Sequence, residues 1–200
     1  ISRISISGTS GTLVPCGSNG VNLGNSIPYN EACTSNSKKL NLIAGEDKFL
    51  NNPYSSLAKA IKLIDTFGED IILRHQSDWI SGWFLNDWSY GEEGNNVKLG
   101  WNIKSKSWPE SFDSISLKKS LPAIKKSGSF LGKINQSISN LLGTSEHLLL
   151  ISGTTDSNAA FVAAQVKENE GLTILGTTIV LKKIIKKTFS HPGITMHRVN

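Results

Sequence analysis

The stretch LLLISGTTDSNAAFVAAQV, residues 148–166, begins with four apolar residues, continues with small polar residues and reaches one acid, Asp156. Small apolar residues with helical spacing follow the acid, so the stretch predicts a buried strand that turns into a helix near Asp156. A carboxylate at this position has two interpretations. It caps the helix by accepting hydrogen bonds from the first turn, or it serves a ligand, because α/β proteins bind ligands at the carboxyl ends of their strands.

Strands and helices alternate along the rest of the chain, which indicates an α/β fold in one domain over residues 1–200. Apolar spacing predicts three further helices, at residues 55–68, 77–85 and 130–143. The expected cap residues are serines at the starts and glycines at the ends: Ser55 or Ser56, Ser77, Gly68 and Gly143.

Two pairs of strands are predicted near the ends of the chain. Residues 1–7 alternate apolar and polar side chains, and a Gly-Thr-Ser turn leads to residues 13–15, so a hairpin is expected there. Residues 171–183 predict two strands broken at Gly176. The chain starts at Ile1 within the alternating pattern, so we expect it to be a piece of a longer protein.

The composition, with 38% hydrophobic and 18% charged residues, is typical of a globular protein. No apolar run approaches the roughly 20 residues that a membrane span needs, and no signal peptide is present, so we expect a cytoplasmic protein without a membrane partner. Cys16 and Cys33 are expected to be reduced, and they have no metal-ligand spacing with His191 or His197.

The net charge of +5 does not by itself predict a nucleic-acid partner. The paired lysines of residues 181–187 are typical of a solvated strand end, while the tryptophans lie between residues 79 and 108. A single-strand-binding groove needs basic and aromatic side chains interleaved. We therefore expect no nucleic-acid partner.

Gly-Thr turns occur at three strand ends, at residues 8–10, 153–155 and 176–178. Short hydroxyl side chains let a polar ligand approach closely, so these turns together suggest one shared polar cleft. None of them is a Walker-type phosphate loop.

These features together resemble the FGGY carbohydrate kinases, nearly from end to end. The segments that carry the resemblance are ISISGTSGTLV (4–14), IPYNEAC (27–33), PYSSLAK (53–59), ISGTTDSNAAF (151–161), ILGTTIVLK (174–182) and GITMHRV (193–199). GTSGT, YNEAC and SSLAK are most similar to the small ribulokinase-like branch of cyanobacteria and plants. The resemblance implies a ribonuclease H-like (actin-like ATPase) domain that is incomplete at its N-terminus and lacks the second domain.

The resemblance also implies the chemistry, a transfer of phosphate from ATP with Mg²⁺ to a sugar, with D-ribulose as the first candidate. Asp156 would be the general base that takes the proton of the sugar's terminal hydroxyl. The implied sugar-contacting residues are Thr9, Ser10, Asn30, Tyr54 and Thr155. Gly176 and Thr177 would meet the β- and γ-phosphates of ATP. No metal ligand is expected from the protein.

Structural alternatives exist for several of these residues. Thr9 and Ser10 are compatible with an ordinary hairpin turn, Gly176 with a β-bulge and Tyr54 with an exposed aromatic side chain.

The chain also departs from the family pattern. Asn30 and Cys33 stand where many relatives have an acid and an arginine, and Ser7 stands where the ribulokinase-like branch tends to have Asp. These differences concern the identity of the sugar. The family's opening phosphate turn and its adenine-binding second domain are absent, so we expect the isolated chain to be inactive. The alternatives are a non-catalytic sugar-binding module and a kinase for xylulose, glycerol or another polyol.

Overall fold

The computed structural model describes residues 1–175, 179–187, 191 and 194–197 of the chain. Its strands are β1 (Arg3–Ser5), β2 (Leu13–Cys16), β3 (Ile72–His75), β4 (Tyr90–Glu92), β5 (Ala123–Lys125), β6 (Phe130–Lys133), β7 (Leu149–Ile151), β8 (Gly171–Leu175) and β9 (Ile179–Lys183). Its α-helices are α1 (Ser37–Ala44), α2 (Ser56–Phe67), α3 (Gln76–Leu85), α4 (Glu93–Val97), α5 (Gln136–Leu142) and α6 (Asp156–Ala163). Short 3₁₀ helices cover Glu110–Ile115 and Leu117–Ser120.

The strand predicted within residues 148–151 is β7, which lies between β1 and β6 in a three-stranded sheet. β1 pairs with β7 in parallel, while β6 pairs with it in antiparallel orientation. Parallel strands end at the same edge of a sheet. The segments that follow β1 and β7 therefore leave the sheet side by side.

The hairpin predicted between residues 1–7 and 13–15 is wrong. β2 pairs in antiparallel orientation with β3, and β1 pairs with β7 instead. Gly11, with φ of 97°, turns the chain away from β1 so that β2 joins a different sheet. Alternation of side chains identifies a strand but not its partner, which here lies far along the sequence.

The helix predicted over residues 130–143 is correct only in its second half. Residues 130–133 form β6, and α5 begins at Gln136 after Asn135, whose side chain accepts a hydrogen bond from the Ser137 amide at 2.9 Å. The apolar spacing misled the prediction because both a strand end and a helix contribute to one apolar cluster, Leu131 from β6 and Ile138 from α5. Gly143 ends α5 in the left-handed conformation, as predicted.

Two other helix predictions agree with the structure. α2 is capped by Ser55, which accepts a hydrogen bond from the Ala58 amide at 3.1 Å, and it ends at Gly68. The helix predicted at residues 77–85 is α3, but Ser77 lies inside it and His75 stands at the cap position without a side-chain bond.

The C-terminal strands are also as predicted. β8 and β9 pair in antiparallel orientation from Gly171 opposite Lys183 to Leu175 opposite Ile179. Gly176, the predicted break, lies outside the described residues.

Two apolar clusters hold these elements together. The larger surrounds α2, whose Leu57 and Ile61 are fully buried. The smaller lies between α3 and the three-stranded sheet, with Phe84 packed near Leu150. None of the helices in the described residues is long and apolar enough to cross a membrane.

The β1–β7 pairing leaves no room for a side chain at Gly153, which follows β7. A Cβ atom there would lie 1.8 Å from the Ile6 carbonyl oxygen. We predict that Gly153→Ala forces the two strands apart and lowers the free energy of unfolding by about 3 kcal/mol. Urea unfolding of the 200-residue chain measures this. Gly171→Ala is the matched control, because its nearest neighbour would be 3.5 Å away. An equal effect of both substitutions would contradict the close approach.

Candidate active site

The edge of the sheet brings the two segments of the predicted sugar site together. Gly8, after β1, and Thr155, after β7, form an isolated parallel bridge. The Asp156 amide donates a hydrogen bond of 3.0 Å to the Gly8 carbonyl oxygen. The turn that contains Thr9 and Ser10 is therefore tied directly to the start of α6, which brings together two of the three Gly-Thr turns predicted to share a polar cleft; the third, at residues 176–178, lies outside the described residues.

Asp156 is the first residue of α6, and it does not cap the helix. Thr155 is the cap, because its hydroxyl accepts a hydrogen bond from the Asn158 amide at 3.2 Å. The capping interpretation of Asp156 is thus wrong. Its carboxylate is exposed, and Oδ1 accepts a hydrogen bond from the neighbouring Ser157 amide at 2.7 Å. The carboxylate therefore remains accessible to a ligand next to the positive end of the helix dipole.

Thr9 is fixed by Gln76, a residue that the sequence analysis did not select. The Gln76 Oε1 atom accepts hydrogen bonds from the Thr9 hydroxyl at 2.8 Å and from the Thr9 amide at 3.2 Å. The Thr9 hydroxyl also lies 2.9 Å from the Thr12 hydroxyl. With its oxygen occupied, Gln76 has an amide NH₂ group without a partner among the described residues, and this group can donate to a polyol.

Ser10 has an unused hydroxyl at the same turn. Its Oγ atom is buried and has no hydrogen-bond partner among the described residues. Its carbonyl oxygen accepts a hydrogen bond of 3.1 Å from the Lys98 ammonium. A buried hydroxyl without a partner is costly unless a ligand or water supplies one.

The loop of residues 27–33, the pocket loop, approaches the turn through Tyr29, which the sequence analysis did not select. The Tyr29 amide donates to the Thr12 hydroxyl at 3.3 Å, and its Cβ lies 3.6 Å from the position that a Cβ on Gly11 would occupy. Asn30 and Tyr54 are exposed.

A buried lysine of α2 holds this loop in place. The Lys59 ammonium donates to the carbonyl oxygens of Tyr54 at 2.6 Å and of Tyr29 at 3.4 Å. Burial lowers the pKa of Lys59. Gly176 and Thr177, the predicted phosphate contacts, lie outside the described residues.

Two lysines, Lys98 and Lys182, lie near enough to the Asp156 carboxylate for its negative charge to act on them. Burial lowers the pKa values of Lys98 and Lys182, and the negative charge of Asp156 opposes that change in both cases. Lys182 also donates a hydrogen bond to Asn158 of α6. Burial lowers the pKa of His197 to about 4, and the charges of Lys182 and Lys98 act in the same direction. His197 is therefore neutral at pH 7, and the two ammonium groups carry the positive charge.

An open groove of about 520 Å³ lies beside the start of α6. Its lining is mostly apolar, with Ile4, Ile151 and Val162 among its side chains, while Ser7, Thr154 and Asn158 contribute polar groups. Its lining does not include Thr9, Ser10 or Asp156, so the groove runs along β1 and α6 rather than over the carboxylate.

Three buried side chains, those of Ser56, His75 and Asp78, lie in a row next to the turn, with Ser56 Oγ 3.7 Å from the position of a Cβ on Gly11. Ser56 Oγ lies 3.2 Å from His75 Nε2, and His75 Nδ1 lies 3.9 Å from Asp78 Oδ2. The residue types are those of a hydrolase triad, but all three are buried and the second distance is too long for a hydrogen bond. Burial lowers the pKa of His75 to about 3, so its ring is neutral and forms no ion pair with Asp78. These side chains are structural.

Asp78 of α3 belongs to a buried polar layer whose other members, Glu92 and Asn96, lie in residues 86–115, a region that the sequence did not assign. Its carboxylate accepts hydrogen bonds from the Glu92 amide at 2.9 Å and from the Asn96 side chain at 3.1 Å. The Glu92 carboxylate in turn caps α4 through the amides of Gly94 and Asn95. Among the described residues, no group of three or more His, Cys, Asp or Glu side chains is arranged to hold a metal ion.

Solved structures with a similar fold include several carbohydrate kinases, whereas no family model matches the sequence. The chain superposes on a xylulose kinase from Lactobacillus acidophilus with a TM-score of 0.77 and 16% identity, over 92% of this chain and 40% of that one. A gluconate kinase from the same organism gives 0.77 and 17%, over 92% and 40% of the two chains. Plasmodium falciparum glycerol kinase with ADP gives 0.72 and 20%, over 90% and 39%.

The fold is therefore an actin-like ATPase fold of mixed α/β type. Within that class it is the fold of the FGGY carbohydrate kinases, which confirms at the level of the fold the resemblance drawn from the sequence. The chain spans about 40% of the length of the xylulose kinase.

The buried carboxyl of Asp78 predicts a specific pH dependence. Burial raises its pKa from 3.8 to about 7. The folded chain therefore holds this proton more tightly than the unfolded chain, and the resulting stabilisation is lost as the pH rises through 7. In Asp78→Asn this loss is absent. We predict that from pH 5 to pH 8 the free energy of unfolding of the variant rises relative to wild type by about 2 kcal/mol.

Urea unfolding of the 200-residue chain at the two pH values measures this difference. The control is Asp70→Asn, since the Asp70 side chain is fully exposed. A difference between Asp78→Asn and wild type that stays constant with pH would show that Asp78 is ionised in the folded chain throughout this range.

Proposed function

We propose that this chain is the sugar-binding part of an ATP-dependent carbohydrate kinase, with a ketopentose as substrate and D-ribulose as the first candidate. The proposal rests on one observation above all. The Asp156 amide is hydrogen-bonded to the Gly8 carbonyl oxygen, so the helix start that presents the exposed Asp156 carboxylate is joined to the turn that contains Thr9 and Ser10. The resemblance of GTSGT, YNEAC and SSLAK to the ribulokinase-like branch supports the choice of sugar.

The polar groups of the cleft are proposed to have different roles. The Gln76 amide, the Ser10 hydroxyl and the Thr155 segment orient the sugar so that its terminal hydroxyl faces Asp156. Asn30 and Tyr54 are proposed to close the sugar side of the pocket. Orientation of this kind supplies a large part of the rate enhancement in phosphoryl transfer.

The reaction transfers one phosphoryl group. The sugar oxygen forms a bond to the γ-phosphorus, the bond from that phosphorus to the β–γ bridging oxygen breaks, and its electron pair leaves with ADP. The Asp156 carboxylate accepts the proton of the attacking hydroxyl. Mg²⁺ enters as part of the MgATP substrate and neutralises phosphate charge when bound. Gly176 and Thr177 are proposed to contact the phosphates of ATP.

The remaining proposals concern the whole protein. Residues 1–200 are proposed to form one sugar-binding domain whose partner is a second, adenine-binding domain of the same kinase. We also propose a cytoplasmic location, which the two free thiols of Cys16 and Cys33 support. The 200-residue chain alone is expected to release no ADP above a blank without enzyme.

The role of Asp156 is tested with the full-length protein, MgATP and a panel of D-ribulose, xylulose, gluconate and glycerol. We predict sugar-dependent ADP release that falls by a factor on the order of 10² or more in Asp156→Ala and Asp156→Asn, because both remove the proton acceptor. Asp156→Asn retains an oxygen that can accept the hydrogen bond of the Ser157 amide.

Asp47→Asn is the matched control, because Asp47 is an exposed acid of the loop after α1 whose Oδ1 likewise accepts amide hydrogen bonds. Activity of the Asp156 variants equal to that of the control would rule out Asp156 as the base. Absence of turnover with every compound on the panel would rule out the proposed substrates.

A further inference from the structure

We propose that Lys98 contacts the transferred phosphoryl group and stabilises its charge during the reaction. This inference rests on the proposed kinase function and assigns a residue that neither the sequence motifs nor the predicted site included. Lys98 follows directly after α4, in the region rich in Trp, Asn and Gly that the sequence left unassigned.

Lys98 is held against the same turn as Asp156. Its aliphatic chain packs on Gly11, with Cδ 3.6 Å from the position that a Cβ would take there. Its ammonium donates to the Ser10 carbonyl oxygen at 3.1 Å. The Asp156 amide is bonded to the Gly8 carbonyl, two residues earlier. The carbonyl oxygens of residues 8–10 therefore accept hydrogen bonds from both the Asp156 amide and the Lys98 ammonium.

The positive charge of Lys98 has no ion-pair partner among the described residues, although the Asp156 carboxylate is near enough to influence it. The ammonium is partly buried, and burying a cation opposite a single neutral carbonyl oxygen is costly. An ammonium has three N–H donors, and Ser10 uses one of them. The remaining donors are available beside a hydroxyl, Ser10 Oγ, that also has no partner in the described part of the chain.

A cation at this place, in addition to the Mg²⁺ of the nucleotide, favours phosphoryl transfer at Asp156. The anionic γ-phosphoryl group must approach an oxygen that is hydrogen-bonded to a carboxylate, so the two negative charges repel each other. A fixed positive charge on the same turn offsets this repulsion and stabilises charge on the equatorial oxygens. Lys182 differs from Lys98 in position, because its ammonium is hydrogen-bonded to Asn158 of α6 and not to the turn at residues 8–10.

Two substitutions separate the charge of Lys98 from its bond to Ser10. Lys98→Gln keeps an N–H donor for the Ser10 carbonyl but removes the charge, whereas Lys98→Arg keeps both. In the full-length protein with MgATP and its sugar, we expect kcat of Lys98→Gln to fall by about 10²-fold, while the affinity for the sugar without ATP changes by less than about threefold. Lys98→Arg is expected to recover part of kcat. Calorimetric titration with the sugar alone measures the affinity.

Lys104→Met, at an exposed lysine farther along the chain, is the control and is expected to leave kcat unchanged. A kcat of Lys98→Gln within about threefold of wild type overturns the inference alone, because the kinase would still be active. A weaker sugar affinity that accounts for the whole loss of activity also overturns it, since Lys98 would then only shape the turn. A wild type that phosphorylates no sugar removes the proposed function and this inference together.

Discussion

The parallel pairing of β1 with β7 is the constraint on which the candidate site depends. Because the two strands end at the same edge, the turn after β1 and the helix after β7 must meet, and the bond from the Asp156 amide to the Gly8 carbonyl fixes how they meet. The contact is close enough that Gly153 has no space for a side chain against Ile6. The backbone thus determines where the carboxylate stands before any side chain of the site is considered.

Beneath this edge, buried polar groups hold the turn in one arrangement. Gln76 fixes Thr9, Lys98 donates a hydrogen bond to a carbonyl oxygen of the turn, and Lys59 donates one to the Tyr29 carbonyl oxygen of the pocket loop. Buried cations and unpaired hydroxyls cost free energy, so a protein optimised for stability alone would contain fewer of them. A rigid turn with spare donors is what a site needs in order to orient a polyol and a phosphoryl group without reorganisation.

The sequence predicted the elements whose signals are local. The Ser55 cap, the Gly68 end and the strand before Asp156 follow from hydrogen-bond capping and apolar patterns within a few residues. It did not predict that β1 pairs with β7, because a partner distant along the chain leaves no periodic signal. Gln76 and Lys98 were missed for the same reason, since only the folded chain brings them to the turn. Thr155 replaced Asp156 as cap because neighbouring Thr and Asp residues are both good caps, and the backbone decides between them.

The most direct test of this account is a crystal structure of the full-length protein with ADP, Mg²⁺ and a sugar that it phosphorylates. The account predicts a terminal hydroxyl of the sugar about 3 Å from an Asp156 carboxylate oxygen, with the sugar resting on the turn at Thr9 and Ser10. A sugar bound elsewhere, or an Asp156 carboxylate beyond hydrogen-bond reach of every sugar hydroxyl, would contradict it.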